Sequence, residues 1–360
     1  MGLHITETAS CWEVLSKTRL PIFMYGMGLG AEKILKVFEE KGITCSGFFA
    51  SEGFVRGHEF KGHLVHTLKE VEEKVDDFIV VLAFAAGYEP LYSQIMDISK
   101  RHMLIVPDVP VAGDGLFDHE YFLEHRDLFG KTYDLLADDL SRKTYEAIIN
   151  FKISGKPCYL DMCTSPRSEV YDDIVKLKDG EVFVDLGAYK GDTAEEFVKA
   201  CDKAGVTYKS IYALEPNRKN YNKLLKNTEG YHDISCFNAA AWECEGKVSF
   251  TSNEGRMARI SDKGEDLTDA MSVDSFCEQA TIIKLDVEGA ELQALNGASR
   301  NLEGGAQVMC ALYHRNEDMF RLPLFIHEKN PDLKLYIRHE LYIPAWETNL
   351  YAVKGIENGD

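Results

Sequence analysis

The amino-acid sequence predicts an α/β fold with two doubly wound domains that are joined by a helical connector. Apolar, strand-like runs alternate with helix-like segments in both halves of the chain, and a glycine-rich turn follows a strand in each half. Such alternation indicates parallel sheets with right-handed crossovers. The stretch between the halves has no strand pattern. We therefore expect a first domain over 1–110, a connector over 111–160 and a second domain over 161–360.

The overall composition narrows the classes of function. The chain has 360 residues and a formal net charge of −19, and no cluster of Lys and Arg stands out. Because nucleic-acid binding depends on neutralising phosphates, this balance argues against a DNA or RNA partner. The nine cysteines form no CxxC pair, which is typical of reduced thiols. With no signal peptide or membrane-spanning run evident, we expect a cytoplasmic protein without a membrane span.

The first domain is expected to begin with a short leading helix at Ile5 to Thr18. A compact strand over 21–26 then runs into glycines, and Ala31 to Lys41 has helical spacing that Gly42 closes. Further strands are expected at Thr44 to Phe49, Phe78 to Phe84 and Met103 to Val106, and helices at Leu68 to Val75 and Leu91 to Lys100. In the connector, Lys131 to Leu136 and Ser141 to Phe151 are expected to be helical.

The second domain is expected to contain a seven-stranded sheet whose last two strands form a hairpin at one edge. The strands are predicted at Val182 to Leu186, Ser210 to Leu214, Asp233 to Asn238, Thr281 to Leu285, Gln307 to Tyr313, Lys334 to Arg338 and Thr348 to Val353. The helices are predicted at Thr193 to Ala204, Arg218 to Lys226, Val273 to Gln279, Glu291 to Ser299 and Glu317 to Lys329. Lys247 to Ser252 and Met257 to Ser261 are expected to form a short hairpin insertion.

A glycine turn and an acid one strand later indicate a nucleotide-type ligand. Asp185 and Gly187 end a buried strand, and Gly191 opens the next helix. In open parallel sheets, ligands bind beyond the carboxyl ends of the strands, where glycine lets the backbone approach them closely. Asp185 is suited to hold an amino group, and the helix N-terminus a carboxylate. Glu215, at the end of the next strand, is placed to accept hydrogen bonds from ribose hydroxyls.

A second acidic cluster is expected beside this ligand. Asp286 and Glu288 follow the fourth strand, and His314 follows the fifth. Acids at this edge can orient a hydroxyl or accept its proton, and a neutral imidazole is a natural proton acceptor. The same three side chains would also form a credible set of ligands for a divalent cation, although their spacing does not require a metal. Alternatively, Glu288 and Glu291 only favour the N-terminus of the following helix electrostatically.

From about Gly180 to Val353 the sequence resembles the FkbM-type methyltransferases. The matching pieces are VDLGAYKGDT from Val184, YALEPN from Tyr212, SVDSF from Ser272 and IKLDVEGAEL from Ile283. The resemblance implies a Rossmann-like methyltransferase sheet, S-adenosyl-L-methionine as donor, and methylation of an oxygen on sugars or related hydroxyl compounds. The donor-binding residues are expected to be Asp185, Gly187, Ala188, Gly191, Glu215, Pro216, Asn238, Ala239 and Asp286. The catalytic or acceptor-facing residues are expected to be Asp286, Glu288 and His314.

The first domain has its own glycine fingerprint, Gly26-Met27-Gly28-Leu29-Gly30-Ala31, between a strand and a helix. The second strand ends in Ala50 and Ser51, where an NAD site would carry an acid. With Gly57, Gly62 and Val65, the domain resembles the Rossmann-like N-terminal domains of sugar O-acyltransferases, which either contact a nucleotide-sugar or serve packing and oligomerisation. The missing acid favours a non-catalytic role for this domain.

The sequence therefore predicts a methyltransferase that acts on a hydroxyl of a sugar, a glycan or a related small metabolite. The alternatives are an NAD(P)- or nucleotide-sugar-binding enzyme that works through the first domain, and a non-catalytic scaffold that retains the fold. The acceptor is expected to be a small molecule or glycan. Oligomerisation and metal dependence are left open.

Overall fold

The computed structural model describes residues 2–55, 57–250 and 266–355. It contains a six-stranded, a seven-stranded and a three-stranded sheet, and it confirms the predicted α/β class. Within these residues, none of the helices combines the length and the apolar character that crossing a membrane would need.

The first sheet has the strand order β3-β4-β2-β1-β5-β6. Its strands are β1 (Ile22–Tyr25), β2 (Gly47–Phe49), β3 (Glu59–Phe60), β4 (His63–His66), β5 (Ile79–Leu82) and β6 (Met103–Ile105). The accompanying helices are α1 (Cys11–Lys17), α2 (Leu29–Lys41), α3 (Glu52–Val55), α4 (Leu68–Glu72) and α5 (Leu91–Arg101). Strand β1 pairs in parallel with both β2 and β5, so the carboxyl end of β1 is the switch point of this sheet.

The leading helix is shorter than the sequence suggested, because α1 begins at Cys11 rather than Ile5. The preceding backbone is extended and bonds to the connector instead: the N–H groups of Thr6 and Glu7 both donate to Asn150 Oδ1, at 2.9 and 3.0 Å. Ser10 then caps α1 in a capping box with Glu13. A partner more than 140 residues away thus overrides the local helical pattern.

The connector is helical and packs on both sheets. It comprises α6 (His119–Glu124), α7 (Arg126–Leu135), α8 (Asp139–Ser154) and the start of α9 (Cys158–Cys163), and a π-helical turn at Val170–Ile174 follows it. Lys152 of α8 forms a buried ion pair with Asp108, which follows the first sheet. At the other side, Arg338 of the second sheet pairs with Asp138 and Glu169 at 2.7 and 2.8 Å. These buried contacts make the connector part of the core.

The second domain contains all seven predicted strands of the large sheet, in the order β15-β16-β14-β13-β7-β8-β9. Its strands are β7 (Glu181–Leu186), β8 (Tyr208–Leu214), β9 (Ile234–Phe237), β10 (Ala239–Ala241), β11 (Gly246–Phe250), β12 (Asp266–Met271), β13 (Ile282–Leu285), β14 (Gln307–Ala311), β15 (Leu333–His339) and β16 (Thr348–Lys354). Its helices are α10 (Asp192–Ala204), α11 (Arg218–Asn227), α12 (Val273–Phe276), α13 (Glu291–Asn296), α14 (Ser299–Glu303) and α15 (Asp318–Lys329). As predicted, β15 and β16 form an antiparallel hairpin at one edge.

The small three-stranded sheet differs from the predicted hairpin insertion. Strand β11 pairs antiparallel with β12, which the sequence analysis did not predict, and β10 pairs in parallel with β12. The second strand of the predicted hairpin, Met257 to Ser261, lies outside the described residues.

Candidate active site

A cleft of about 580 Å³ opens at the carboxyl edge of the seven-stranded sheet. Parallel strands β7, β8, β13 and β14 all end there, so the turns that follow them face one space. Gly187, Glu215, Asp286 and Glu288 all line the cleft. The glycine turn, the strand-end acid and the acid pair predicted from sequence are therefore brought together.

The glycine turn is enforced by close packing. Gly187 has φ +79°, and a Cβ atom there would lie 1.9 Å from the backbone oxygen of Asp286. The turn therefore brings the ends of β7 and β13 closer than any side chain would allow. Gly191 caps α10, and Ala188 lies in a small buried cluster with Leu224 behind the cleft. Neither Gly191 nor Ala188 is among the residues that line the cleft.

Asp185 is fully buried, and it faces a lysine rather than the open cleft. Lys284 Nζ lies 3.1 Å from Asp185 Oδ1 and donates to the carbonyl of Gly187 at 3.0 Å. The two residues are neighbours on paired strands β7 and β13, which places both side chains on one face of the sheet. Burial raises the pKa of Asp185 above its usual value. Burial acts to lower the pKa of Lys284, but the charges of the surrounding carboxylates, that of Asp185 foremost, outweigh it and raise this pKa above its usual value. Lys284 lines the cleft and was missed by the sequence analysis.

Glu215 is nearly buried at the end of β8 and is held by two backbone donors. The N–H of Tyr189 donates to Oε2 and that of Asn217 to Oε1, each at 2.8 Å. Burial raises the pKa of Glu215 to about 7. Each carboxylate oxygen has a further lone pair, so the group can still accept hydrogen bonds from a ligand in the cleft.

The other predicted donor-side residues support this corner to different degrees. Pro216 lines the cleft. Asn238 donates from Nδ2 to the carbonyls of Glu215 and Pro216, both at 2.9 Å, and thereby holds the loop after β8. Ala239 is buried in β10, while the next residues, Ala240 and Ala241, line the cleft.

The turn after β13 is unusual in its backbone. Glu288 has φ +55° and Gly289 has φ +96°, so two successive residues adopt left-handed conformations. The buried carboxylate of Glu291 stabilises this turn, since its Oε1 accepts from the N–H of Val287 at 3.0 Å and from that of Gly289 at 3.4 Å. Glu291 thus fixes the direction in which Asp286 and Glu288 project. No role in the site was predicted for Glu291 from the sequence.

His314 is fully buried behind the acid pair. Its Nδ1 is 2.8 Å from Glu291 Oε1, and its Nε2 is 3.4 Å from Asp286 Oδ1 and 3.6 Å from Glu288 Oε2. Burial acts to lower the pKa of His314, but the charge and hydrogen bond of Glu291, with the charges of Asp286 and Glu288, raise it to about 10. The imidazole is therefore protonated near neutral pH. This charge state differs from the neutral imidazole expected from the sequence.

The acid pair itself faces the cleft. About 37% of the Asp286 side chain and 29% of the Glu288 side chain is exposed. Tyr313 donates its hydroxyl to Asp286 Oδ1 at 3.3 Å. Burial raises the pKa of Glu288 to about 7, and the nearby charge of Asp286 acts in the same direction. Within the described residues, no group of three or more His, Cys, Asp or Glu side chains is arranged to hold a metal ion.

The loop between β15 and β16 closes the far side of the cleft with residues for which no role was predicted from the sequence. Glu340, Tyr342, Trp346 and Glu347 line it. Arg167 Nη1 lies 3.0 Å from Glu340 and 4.0 Å from Glu347. Burial raises the pKa of Glu347 to about 7, with further repulsion from Asp286 and Glu340. This side of the cleft is acidic and aromatic.

The first domain holds this loop in place. Ala86, just after β5, forms an antiparallel bridge with Ile343 through two backbone hydrogen bonds of 2.8 and 2.9 Å. Gly87 packs so closely that a Cβ atom there would lie 2.3 Å from the ring of Tyr342. Val111, the first residue of the connector, also lines the cleft. The cleft therefore lies where the second sheet meets the connector, and the segment after β5 supports its far side.

The glycine fingerprint of the first domain is explained by packing within that domain. A Cβ atom at Gly30 would lie 2.3 Å from the carbonyl oxygen of Ala83, and one at Gly26 would lie 2.8 Å from the Phe84 ring. Both glycines therefore permit the close approach of the segment after β5. The end of β2, at Phe49 and Ala50, carries no acid, as the sequence had indicated.

Comparison with known proteins agrees with this geometry. Residues 185–342 match the family model described as the methyltransferase FkbM domain. This segment is therefore an FkbM-type methyltransferase domain. Asp185 and Tyr342 are the first and last residues of the match. The matched segment therefore contains the glycine turn, Glu215 and the turn after β13 that carries Asp286 and Glu288, which we call the acid turn. No curated protein matches the sequence.

Solved structures extend the likeness to the whole chain. Methyltransferase FkbM from Methylobacillus flagellatus KT is similar with a TM-score of 0.70 and 21% identity, over 95% of this chain and 92% of that one. An rRNA methylase from Streptococcus thermophilus gives a TM-score of 0.33 and 14% identity, over 52% of this chain and 92% of that one. Fibrillarin from Aeropyrum pernix, in complex with natively bound S-adenosyl-L-methionine, gives 0.32 and 17%, over 50% and 70%. The first of these shows that the fold of this chain is shared with that structure over nearly the whole length of both.

Proposed function

We propose that this protein is an S-adenosyl-L-methionine-dependent O-methyltransferase that acts on a hydroxyl of a sugar, a glycan or a related small metabolite. One observation carries the proposal: a single cleft is lined at one place by Glu215 beside the glycine turn and at another by Asp286 and Glu288. We call the part of the cleft around Glu215 and the glycine turn the donor corner. Methyl transfer requires the donor and the acceptor to be held side by side, and one cavity that contains both the donor corner and the acid pair can do this.

The donor corner fits the nucleoside of S-adenosyl-L-methionine. Glu215 can accept hydrogen bonds from both ribose hydroxyls while its two backbone donors fix its orientation. Gly187 has no side chain, so a ligand can approach the backbone of the turn next to Glu215. When bound, the donor supplies a methyl group on a sulfonium centre, so the protein's main tasks are alignment and removal of a proton.

The acid turn fits a hydroxyl acceptor. Asp286 orients the hydroxyl, and Glu288, with a pKa of about 7, accepts its proton near neutral pH. The imidazolium of His314 lies behind both carboxylates and stabilises their charge, so its part is positioning rather than proton removal. The aromatic and acidic loop from Glu340 to Glu347 would contact the remainder of a polar acceptor.

Binding of S-adenosylhomocysteine tests the donor half of the proposal. Calorimetry should give one site per chain, and Glu215→Gln should weaken binding about tenfold to hundredfold, because hydrogen bonds to a charged, buried acceptor are lost. The exposed Glu229→Gln is the matched control and should leave the affinity unchanged. Absence of any binding heat and of any thermal shift in the wild type would exclude the proposal.

A donor-consumption screen tests the acceptor half. Sugars, nucleotide-sugars and lipid-linked glycans should be compared with matched compounds whose hydroxyls are already methylated. Turnover that requires a free hydroxyl supports oxygen transfer, whereas donor binding without turnover on any acceptor would favour a scaffold.

A further inference from the structure

We infer that Lys284 binds the carboxylate of the donor's methionine moiety; this inference rests on the proposed function. The sequence had suggested that Asp185 holds the amino group and that the start of α10 receives the carboxylate. The structure places a different group at the cleft surface, because Asp185 is fully buried and Lys284 lines the cleft.

The ammonium group of Lys284 can make several hydrogen bonds at once. Lys284 Nζ has three N–H donors. One is directed to the carbonyl of Gly187 at 3.0 Å, and the carboxylate of Asp185 lies 3.1 Å from the same atom. About 13% of the side chain is exposed. Even with Gly187 and Asp185 both satisfied, a third donor remains for a group in the cleft, which Lys284 lines.

The ammonium of Lys284 lies on the same glycine turn as the donor corner around Glu215. Gly187 separates Asp185 from the turn that bonds to Glu215, so Lys284 and Glu215 flank the same glycine turn. A ligand whose ribose is held at Glu215 would extend its amino-acid end along that turn. An ammonium within a partly buried site recognises a carboxylate through a charge-assisted hydrogen bond.

The cleft also contains carboxylates that can pair with the ammonium group of the ligand's methionine moiety. Asp192, Asp286 and Glu347 also line the cleft, so its carboxylates outnumber its cations, and an ammonium group on a ligand has partners there. The zwitterion of methionine needs both signs, and Lys284 supplies the buried positive one. Asp185 then acts as a positioning residue, since it holds Lys284 at the floor of the cleft.

Two ligands that differ only in the carboxylate test the inference. S-adenosyl-3-thiopropylamine keeps the adenosine, the thioether and the amine of S-adenosylhomocysteine but lacks its carboxylate. Wild-type protein should bind S-adenosylhomocysteine about tenfold to hundredfold more tightly. In Lys284→Met this preference should fall to about onefold to threefold, while affinity for the amine ligand changes little. Lys284→Arg should keep most of the preference.

Because Lys284→Met leaves a buried carboxylate without its cation, the double variant Asp185→Asn with Lys284→Met repeats the test without that charge. Lys190→Met removes another cation that lines the cleft and should retain the preference. Equal loss of both ligands in the Lys284 variants, or the same loss of preference in Lys190→Met, would overturn the inference. Equal affinity of the wild type for the two ligands would also overturn it and leave the proposed function standing, whereas binding of neither would remove both.

Discussion

At the residue scale, the cleft is defined by carboxyl groups held in unequal environments. Glu215 and Glu288 both have a pKa raised to about 7 by burial, but Glu215 is held by backbone donors and Glu288 lies near the imidazolium of His314. The first arrangement suits an acceptor of hydrogen bonds from a fixed ligand. The second suits a group that exchanges a proton.

We expect turnover to fall as the pH drops through about 7, because Glu288 must be deprotonated to accept a proton and its pKa is about 7. Turnover at saturating donor should be measured between pH 5 and pH 9. In Glu288→Gln the rate should be reduced about a hundredfold and should lose this acidic limb.

Glu347→Gln is the matched control, since Glu347 also has a pKa of about 7 and lines the same cleft. It should keep the acidic limb. If the limb persists in Glu288→Gln and disappears in Glu347→Gln, the proton acceptor is Glu347.

Some residues of this site could be predicted from the sequence and others could not, for identifiable reasons. Glu215 and Asp286 directly follow strands, so the carboxyl edge of the sheet brings them together whatever the details. Lys284 lies within a strand that otherwise reads as apolar, and only the cross-strand register with Asp185 reveals its partner. A charged residue inside a buried strand was the available signal, because such a charge needs a partner.

At the element scale, the seven strands were predictable because each is a short apolar or alternating run between turn residues and helix-like segments. The strands β3 and β4 were missed because they are short and largely exposed, and their sequence contains two histidines. The left-handed turn at Glu288 was also not predictable, since it depends on Glu291 accepting hydrogen bonds from the backbone. Local sequence pattern therefore predicted the strands of the large sheet, whereas the conformation of the turn at Glu288 depends on tertiary hydrogen bonds that the pattern does not reveal.

Gly187→Ala should destabilise the second domain by about 3 kcal/mol or more. Two costs add: the residue has φ +79°, and the new Cβ atom would lie 1.9 Å from the backbone oxygen of Asp286, which cannot move without separating β7 from β13. Binding of S-adenosylhomocysteine should be lost with it. Thermal and denaturant unfolding measure the first effect, and calorimetry the second.

Gly180→Ala separates the two costs. Gly180 has φ +82°, but nothing lies within 4 Å of a Cβ atom there, so only the backbone strain of about 1–2 kcal/mol applies. Similar losses in the two variants would mean that the ends of β7 and β13 can relax and that close packing is not what requires Gly187.

At the scale of the whole molecule, the two domains and the connector form one continuous unit around the cleft. The buried pair of Lys152 and Asp108 joins the connector to the first domain, and Arg338 joins it to the second. The likeness to the FkbM structure over 95% of the chain is consistent with such a unit. The first domain thus supports the loop over 340–347 that lines the cleft.

The bridge between Ala86 and Ile343 leads to the final prediction, that a change in the first domain alters the acceptor side and leaves the donor side intact. In Gly87→Ala the new Cβ atom would lie 2.3 Å from the Tyr342 ring, so the ring and the loop over 340–347 must shift. Hydrogen exchange of this loop should become faster, and turnover should fall about tenfold or more, since an acceptor displaced by about 1 Å reacts far more slowly. Affinity for S-adenosylhomocysteine should stay within about twofold, because Glu215 and Gly187 do not contact the loop's anchor. Gly53→Ala, where nothing lies within 4 Å of a Cβ atom, should behave as wild type. An equal loss of donor affinity in Gly87→Ala would show instead that the first domain supports the whole cleft rather than its acceptor side.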